Sequence, residues 1–239
     1  MKERKNSAAN RDPVLRIETL EIFKGIEPRT LEEIEHKIQP RHLGPGELLF
    51  NAGDASDALF IVANGRMRIW TVSAAGAEVT LNVLIDGAVF GEIGVLDGSV
   101  RTAGASAMIR TQVIGIARRT FFDALDHDPK LARNVIDLLC KRLRWTSARM
   151  EDVSLRPAPQ RLARMLAYLA QDHGKKTPHG VEILVKLTQG ELAQWTAMSR
   201  ESLNKLLNRW VEEGLLTQSQ GIIALLKLAR LEEIAEFGE

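Results

Sequence analysis

The sequence predicts an α+β protein built from an N-terminal β-roll (jelly roll), one long helix and a C-terminal helix-turn-helix domain with a hairpin wing. Three features predict this order: short apolar runs between evenly spaced glycines, a long stretch without glycine or proline, and two successive helix caps near the C-terminus. We therefore expect a β-roll domain with an N-terminal tail and helix at residues 1–127, a long helix at 128–157 and a winged helix-turn-helix domain at 158–239.

The charge and hydropathy of the chain narrow its class. The 239 residues carry 32 Lys and Arg against 31 Asp and Glu, so any contact with nucleic acid must come from a local patch and not from an overall basic field. The longest apolar run, residues 58–63, is far shorter than the roughly 20 residues of a membrane helix. Residues 1–13 lack the apolar segment of a signal peptide. We expect a cytoplasmic protein with a frayed N-terminal tail and no membrane partner.

The residue types give little support for a metal site or for enzymatic activity. The single cysteine, Cys140, cannot form an intramolecular disulfide or supply the thiolates of a structural metal site. The five histidines are scattered, and residues 44–120 contain none, which argues against a metal-dependent enzyme of the cupin type on the same jelly roll. No nucleophile elbow, Walker loop or dinucleotide fingerprint is present. We expect no metal and no enzymatic activity.

The β-roll is predicted from the short apolar runs and the regularly spaced glycines of residues 44–117. A capping-box spacing at Thr30 and Glu33 predicts a short helix before it. Runs such as Leu59–Val62, Met67–Val72 and Glu78–Val83 are typical of strands. Glycines separate such runs at steps of 12, 11, 11 and 11 residues, which is the turn spacing of an all-β roll: Gly53, Gly65, Gly76, Gly87 and Gly98.

A long helix is predicted from Asp128, which can cap it, and Pro129, which suits the first helical position, to about Arg156. Along it, apolar positions and one threonine step by 3, 4, 3, 4 and 3 residues, as in a two-stranded coiled-coil seam: Ile136, Leu139, Leu143, Thr146, Met150 and Val153. Such a seam needs a partner surface. The chain's own β-roll and a second copy of the chain are equally good candidates on this pattern, and the two can coexist on different faces.

The C-terminal part contains two predicted short helices. Thr188 and Glu191 form a second capping-box spacing, Ser199 caps the helix that follows, and Gly214 ends it. The polar first turn and apolar inner face of the second helix predict a helix-turn-helix. Residues 215–228, interrupted at 220–221, predict a hairpin wing, and residues 171–180 predict a polar loop.

The most informative stretch is Phe90–Leu96 (FGEIGVL), followed nine residues after Glu92 by Arg101, Thr102 and Ala103. Gly91 permits close approach of backbone to a ligand, and Glu92 can accept a hydrogen bond from a hydroxyl. Arg101 can pair with a phosphate, and the next two amides can complete an anion nest. Together these groups predict a site for a sugar phosphate.

This stretch resembles the phosphate-binding cassette of cyclic-nucleotide-binding domains. With the long helix and the helix-turn-helix behind it, the chain over residues 17–230 resembles the cyclic AMP receptor protein (Crp/Fnr) family of bacterial transcription regulators. Thr146 and Ser147 stand where the family's adenine-contacting Thr-Ser pair stands, after Arg142. The resemblance implies these ligand contacts: Gly91, Glu92, Ile93, Arg101, Thr102, Ala103, Arg142, Thr146 and Ser147.

Two cassette positions depart from the family pattern. Val100 replaces the proline common before the arginine, and Thr102 replaces a residue that is serine or alanine in many cyclic AMP binders. A threonine there can hydrogen-bond the guanine amino group in some cyclic GMP domains. We expect cyclic AMP as the ligand, with cyclic GMP as the alternative.

The second helix of the helix-turn-helix carries the expected DNA-reading face. Arg200 can bind guanine, and Glu201 can accept from cytosine. The pattern resembles the family's reader of TGTGA half-sites, with Lys205 in place of its second arginine, and Ala197 replaces the glycine frequent in the turn. That alanine costs little only if its φ is not positive. The expected DNA contacts are Thr188, Gln189, Ser199, Arg200, Glu201, Asn204 and Lys205.

The sequence thus predicts a homodimeric regulator in which cyclic nucleotide binding repositions two recognition helices on double-stranded DNA. RNA polymerase is an expected partner through the loop that carries Lys175 and Lys176. One alternative is a family member that responds to another signal or to no ligand. Another is a regulatory subunit of a kinase or channel, which would share the cassette but leave the helix-turn-helix unexplained.

Overall fold

The computed structural model describes residues 17–74, 76, 78–184, 188–219 and 221–238, so the predicted frayed tail lies outside the described residues. The chain divides into two compact units. One contains the residues up to Ile69 together with Val83–Leu139, and the other contains Trp70–Asn82 together with the residues from Cys140 onward. The long helix contributes to both units. The domain boundaries predicted at 127 and 157 stay predictions.

The β-roll consists of two antiparallel four-stranded sheets, ordered β1-β8-β3-β6 and β2-β7-β4-β5. In the described residues its strands are β1 (Gln39–Leu43), β2 (Leu48–Phe50), β3 (Ala58–Asn64), β4 (Met67–Val72), β5 (Glu78–Leu84), β6 (Val89–Phe90), β7 (Gly104–Ala107) and β8 (Thr111–Ala117). The five evenly spaced glycines all adopt positive φ, between 77° and 112°, which is the conformation that favours glycine in turns. The predicted β-roll is confirmed.

The N-terminal unit also contains several helices. They are two single 3₁₀ turns, Ile17–Thr19 and Glu21–Phe23, followed by α1 (Pro28–Glu35), α2 (Glu92–Asp97), α3 (Arg118–His127) and the first part of α4 (Pro129–Leu155). The capping box predicted at Thr30 is wrong. Helix α1 begins two residues earlier because Pro28 stands at its first position, and Thr30 is a buried residue inside it.

The start of the long helix is tied to this unit through Asp128. Its carboxylate caps α4 by accepting from Lys130 N at 2.9 Å, and it also accepts from Glu27 N at 2.7 Å, just before α1. Leu131 and Val135 of α4 are buried in the same apolar cluster as Ile61 of β3. The predicted cap and proline start are therefore confirmed.

The C-terminal unit is a helix-turn-helix with a four-stranded sheet. Its elements are α5 (Ala158–His173), β9 (Gly174–Thr177), β10 (Gly180–Ile183), α6 (Gln189–Trp195), α7 (Arg200–Glu212), β11 (Leu216–Ser219), β12 (Ile222–Leu225) and α8 (Leu228–Phe237). Strands β11 and β12 form the predicted wing, in a sheet ordered β11-β12-β10-β9. Residues 70–82 also belong to this unit, where Thr80 Oγ1 donates to Gln194 Oε1 at 2.5 Å.

The loop predicted at residues 171–180 is wrong for most of its length. Helix α5 continues to His173, and β9 then pairs with β10, so that Lys175 faces Glu182 in the register. The hairpin forms because the Pro178–His179 turn brings the two strands together, and cross-strand pairing of opposite charges stabilises it. Polar residues can therefore form an edge strand that composition alone does not reveal. Among the helices described, none is long and apolar enough to cross a bilayer.

The turn between α6 and α7 contains a backbone conformation that alanine adopts at a cost. Ala197 has a φ of 51°, and within the described chain it is the one residue other than glycine with positive φ. Met198 N donates to Ala193 O at 2.8 Å, and Arg161 Nη2 donates to Ala197 O at 3.1 Å, which holds the turn in place. Ala197 would cost little stability only if its φ were not positive, and its φ is positive. The left-handed conformation costs an L-residue about 1–2 kcal/mol.

We expect Ala197→Gly to raise the free energy of unfolding of the C-terminal unit by about 1 kcal/mol, because glycine adopts this φ without strain. Three of the four tryptophans, Trp145, Trp195 and Trp210, lie on helices of that unit, so tryptophan fluorescence during urea unfolding measures mainly its stability. The matched control is Ala229→Gly in α8, which is exposed and should lower stability by about 0.5–1 kcal/mol. A loss of stability in both variants would contradict the strain argument.

Candidate functional site

The cassette predicted from the sequence is assembled at the end of β6. Gly91 follows β6 with a φ of 73° and precedes α2, whose first residue, Glu92, is 1% exposed. A Cβ on Gly91 would lie 2.6 Å from Arg101 Nη1. The structure therefore brings Gly91, Glu92 and Arg101 together, and the space beside Gly91 is taken by the arginine side chain.

Arg101 is buried, at 4% exposure, and its guanidinium is fixed by the main chain. Nη1 donates to Gly91 O at 2.8 Å, and Nη2 donates to Ala58 O at 2.6 Å. The guanidinium carbon lies 4.3 Å from the ring centroid of Phe50, in a cation–π contact. Nε is buried and meets no hydrogen-bond partner among the described residues. Nε is thus the one nitrogen of this buried guanidinium whose hydrogen-bonding capacity is unused among the described residues.

The pKa of Arg101 lies below its ordinary value, because nearby acidic side chains offset only part of the effect of burial. Burial lowers the pKa of Arg101, and the carboxylates of Asp57, Asp54 and Glu92 raise it. The Asp57 carboxylate lies 3.8 Å from Arg101 Nη2 and is itself exposed. An anion that bound at Nε would add a stronger, closer counter-charge to the same guanidinium.

The other predicted cassette residues differ in exposure. Ala103 is buried, whereas Thr102 is exposed and Ile93 is 45% exposed, so the last two can contact a bound molecule. Several residues of this site were missed by the sequence reasoning, namely Phe50, Phe60, Ala58 and Asp57, whereas Phe90 begins the predicted stretch. The three phenylalanine rings have centroids 5.6–6.1 Å apart, and those of Phe50 and Phe60 lie 4.3 and 5.5 Å from the guanidinium carbon of Arg101. Most of these residues lie over 40 positions before the arginine, and no local spacing reveals them.

The predicted ligand residues of the long helix lie in the C-terminal unit. Thr146 and Ser147 are exposed on α4, and Arg142 is half-buried. Cassette and helix residues therefore belong to different compact units.

The predicted helix seam divides between two environments. Leu139 packs against the core of the β-roll, as one of the two alternatives expected. Ile136, Leu143 and Met150 are 59%, 69% and 68% exposed, and they repeat at intervals of seven residues. The side chain of Val153 lies outside those described. Within the described part of α4, the seam thus leaves three large apolar side chains uncovered.

The helix-turn-helix forms as its caps predict. Glu191 N donates to Thr188 Oγ1 at 3.2 Å while Thr188 N donates to Glu191 Oε2 at 2.6 Å, which completes the capping box of α6. Ser202 N donates to Ser199 Oγ at 3.0 Å at the start of α7. The inner face of α7 is buried, through Leu203, Leu206, Leu207 and Trp210.

The outer face of α7 carries the predicted reading residues. Arg200, Glu201 and Lys205 are exposed, and Lys205 Nζ lies 2.7 Å from Glu201 Oε1 in an i,i+4 ion pair. Asn204 is half-buried with its Oδ1 away from solvent. The guanidinium of Arg200 lies across Gly190, where a Cβ would come within 2.8 Å of Nη2. Gly190 is a contributor that the sequence reasoning missed, although a glycine in the first turn of a helix is a usable signal.

Comparison with known proteins places these features in one family. Residues 40–128 match the cyclic nucleotide-binding domain family and residues 160–234 match the Crp-like helix-turn-helix domain family. The cyclic AMP receptor protein of Thermus thermophilus is 30% identical over 214 residues, which cover 90% of this chain and 96% of that protein. The chain belongs to the cyclic AMP receptor protein (Crp/Fnr) family.

Further relatives agree with membership of the Crp/Fnr family. The CRP-like cAMP-activated global transcriptional regulator of Mycobacterium tuberculosis is 28% identical over 81% of this chain and 86% of its own length. A CooA variant from Carboxydothermus hydrogenoformans, at 23% identity, shares the fold with a TM-score of 0.73 over 84% of this chain and 89% of that one. This Crp/Fnr protein is a DNA-binding transcription regulator with a cyclic nucleotide-binding domain, and its family consists of regulators and not of enzymes.

We expect Gly91→Ala to destabilise the N-terminal unit by more than Gly46→Ala. Both glycines have positive φ, 73° and 79°, so both variants incur backbone strain of about 1–2 kcal/mol. The Gly91 variant also displaces the Arg101 guanidinium from its carbonyl partners, which costs about 1–3 kcal/mol more, whereas Gly46 has nothing within 4 Å of its Cβ position. Hydrogen exchange of the β3 and β8 amides measures the difference. These amides should exchange faster in the Gly91 variant than in the Gly46 variant. Equal exchange rates in the two variants would contradict the contact between Gly91 and Arg101.

Proposed function

We propose that this Crp/Fnr family protein is a cytoplasmic homodimer that binds cyclic AMP and, in that state, binds a palindromic TGTGA-like operator. The observation that carries the ligand is the buried guanidinium of Arg101 beside Gly91 and Glu92, whose Nε has no hydrogen-bond partner among the described residues. Cyclic GMP is the alternative ligand, and the feature that favours it is the exposed Thr102 beside the arginine.

The N-terminal unit supports a cyclic phosphodiester as the ligand. A cyclic phosphate carries one negative charge, which matches the single guanidinium. Glu92, buried one residue after Gly91, can accept from the ribose 2′-hydroxyl, as the resemblance implies, while the main chain at Thr102 and Ala103 approaches the phosphate. Two relatives bear names that include cyclic AMP. The ligand contacts proposed for this unit are Gly91, Glu92, Ile93, Arg101, Thr102 and Ala103.

The base of the nucleotide is proposed to bind the long helix. Thr146 and Ser147 present exposed hydroxyls, which can donate to and accept from an adenine edge, and Arg142 lies one turn before them. Because Thr146 belongs to the seam and Ser147 is next to it, one chain's Ser147 can contact the ligand of the second chain. Ligand binding and the dimer interface would then be thermodynamically coupled.

The dimer is proposed to form along the exposed part of the seam. Ile136, Leu143 and Met150 recur every seven residues, which places them on one stripe of the helix. A second copy of α4 presents the same stripe, so a two-fold arrangement covers both at once. The proposed interface comprises Ile136, Leu139, Leu143, Thr146, Met150 and Val153.

The recognition helices of such a dimer are proposed to enter successive major grooves, roughly 34 Å apart. Arg200 and Glu201 lie near the start of α7, the end that contacts base edges. The exposed pair of Glu201 with Lys205 contributes only about 0–1 kcal/mol, so DNA can replace it at little cost. Capping residues and the rest of the helix complete the proposed contacts: Thr188, Gln189, Ser199, Asn204 and Lys205.

A surface for RNA polymerase is proposed on β9. Lys175 and Lys176 are exposed on this edge strand of the C-terminal sheet, where two adjacent cations can contact an acidic partner. This surface uses no residue of the proposed DNA face.

Calorimetric titration with cyclic AMP and cyclic GMP tests the ligand. We expect saturable binding of one cyclic AMP per chain, tighter than cyclic GMP. Arg101→Lys should weaken it roughly 30-fold, since lysine keeps the charge but loses the fork that holds both carbonyls and the phosphate. Arg119→Lys, an exposed replacement of the same kind on α3, should leave the affinity unchanged. No binding heat with either nucleotide would refute the ligand proposal and leave the DNA-binding domain as it stands.

Sedimentation of Leu143→Asp tests the dimer. The carboxylate would lie on the apolar stripe, and we expect monomers with loss of tight binding to a palindromic operator. Leu155→Asp is the matched control: Leu155 is 76% exposed on the same helix but stands off the stripe, so its variant should remain dimeric. If Leu143→Asp sediments as a dimer, the proposed interface is wrong.

A further inference from the structure

A cavity of about 150 Å³ lies within the C-terminal unit, between α4, α5 and the end of α6. Its walls are largely aromatic and apolar: Trp145, Ala148, Met165, Tyr168 and Trp195. None of these residues belongs to the cassette or to the proposed DNA contacts.

The polar groups of the lining hold its shape and are occupied in doing so. Arg161 donates from Nε to Thr196 O at 2.8 Å, from Nη1 to Arg156 O at 2.8 Å and from Nη2 to Ala197 O at 3.1 Å. Thr196 is buried, and its hydroxyl donates to Leu192 O at 2.7 Å. These bonds tie α5 to the end of α6, so the cavity has a fixed wall on that side.

The charges at the rim form an ion-pair cluster. Asp152 Oδ1 lies 2.9 Å from Arg164 Nε and 3.0 Å from Arg156 Nε. A ligand carboxylate or ammonium would have to compete with these pairs and lose its own hydration as well. The lining carries two arginines against one aspartate, which disfavours a cation and suits the electron-rich face of an aromatic ring.

We propose that this cavity binds a small uncharged aromatic molecule, of the size of phenol or indole. An engineered apolar cavity of about 150 Å³ accommodates benzene, so the volume fits one ring with a modest extension. The ring would lie among Trp145, Tyr168 and Trp195. The small side chain of Ala148 leaves the space that the ring would occupy. The aromatic contacts supply offset stacking and edge-to-face packing.

The position of the cavity gives the ligand a regulatory consequence. Trp145 and Ala148 belong to the long helix, whereas Trp195 ends the first helix of the helix-turn-helix. A molecule bound between them fixes α6 against α4 and thereby shifts the population of helix-turn-helix arrangements. The site is a second effector site that works without the cassette.

Isothermal calorimetry of the full chain with indole, in the absence of nucleotide and DNA, tests the proposal. We expect one indole per chain, and at least tenfold weaker binding by Ala148→Leu, whose side chain fills the cavity. Ala229→Leu makes the same replacement at an exposed position of α8 and should bind indole as the unaltered chain does. Indole-3-acetate, the same ring with a carboxylate, should bind at least tenfold more weakly than indole.

Saturating cyclic AMP separates this site from the nucleotide site. Cyclic AMP should not compete with indole, because the two ligands bind at different sites. If saturating cyclic AMP abolished indole binding, the proposal would be overturned. No saturable heat, or equal affinity in the Ala148→Leu chain, would also overturn it. Should Ala148→Leu fail to fold, Tyr168→Ala replaces it: Tyr168 is 39% exposed, and loss of its ring should weaken indole binding about tenfold. The outcomes measured without nucleotide are independent of whether the cassette binds cyclic AMP, so failure of this proposal is distinguishable from failure of the ligand proposal.

Discussion

The guanidinium of Arg101 holds together three stretches of the N-terminal unit that are distant in sequence. Its side chain bonds the main chain at Ala58 and Gly91, while its own backbone N donates to Asp54 O at 2.8 Å. A buried charge is costly unless it is bonded and compensated, so the strands, the glycine turn and the acidic residues around it are constrained to their positions. The same constraint preorganises the site for an anion, because the arginine does not have to be ordered when the ligand arrives.

A second arginine has the corresponding role in the C-terminal unit. Arg161 bonds three carbonyl oxygens that end α4, end α6 and form the turn before α7. The strained φ of Ala197 persists because these bonds and the packing of α7 hold it, in the way that surrounding structure holds strain in other proteins. The helix-turn-helix geometry therefore depends as much on α5 as on its own two helices.

Local rules predicted the parts of the fold that depend on local physics. The glycine spacing identified the turns of the roll, because positive φ at a tight turn is a property of one residue, and the caps at Thr188 and Ser199 identified both helix starts. The cap predicted at Thr30 failed because Pro28 offers a better first position, and β9 was missed because its pairing with β10 determines it more than its own residues do. In the cassette, the spacing from Glu92 to Arg101 was visible, whereas Phe50 and Ala58 reach the arginine only through the sheet order.

The contact between Arg200 and Gly190 restricts how the first turns of α6 and α7 can diverge among descendants of this protein. The arginine lies over the glycine so closely that a Cβ would meet its guanidinium at 2.8 Å. Any side chain larger than hydrogen at position 190 would force the Arg200 side chain into another conformation. If a short residue replaced Arg200, the steric requirement for glycine at position 190 would be lost. The two positions are therefore expected to change together, and with the DNA contact proposed for Arg200 a new DNA specificity would arise through paired substitutions in different helices.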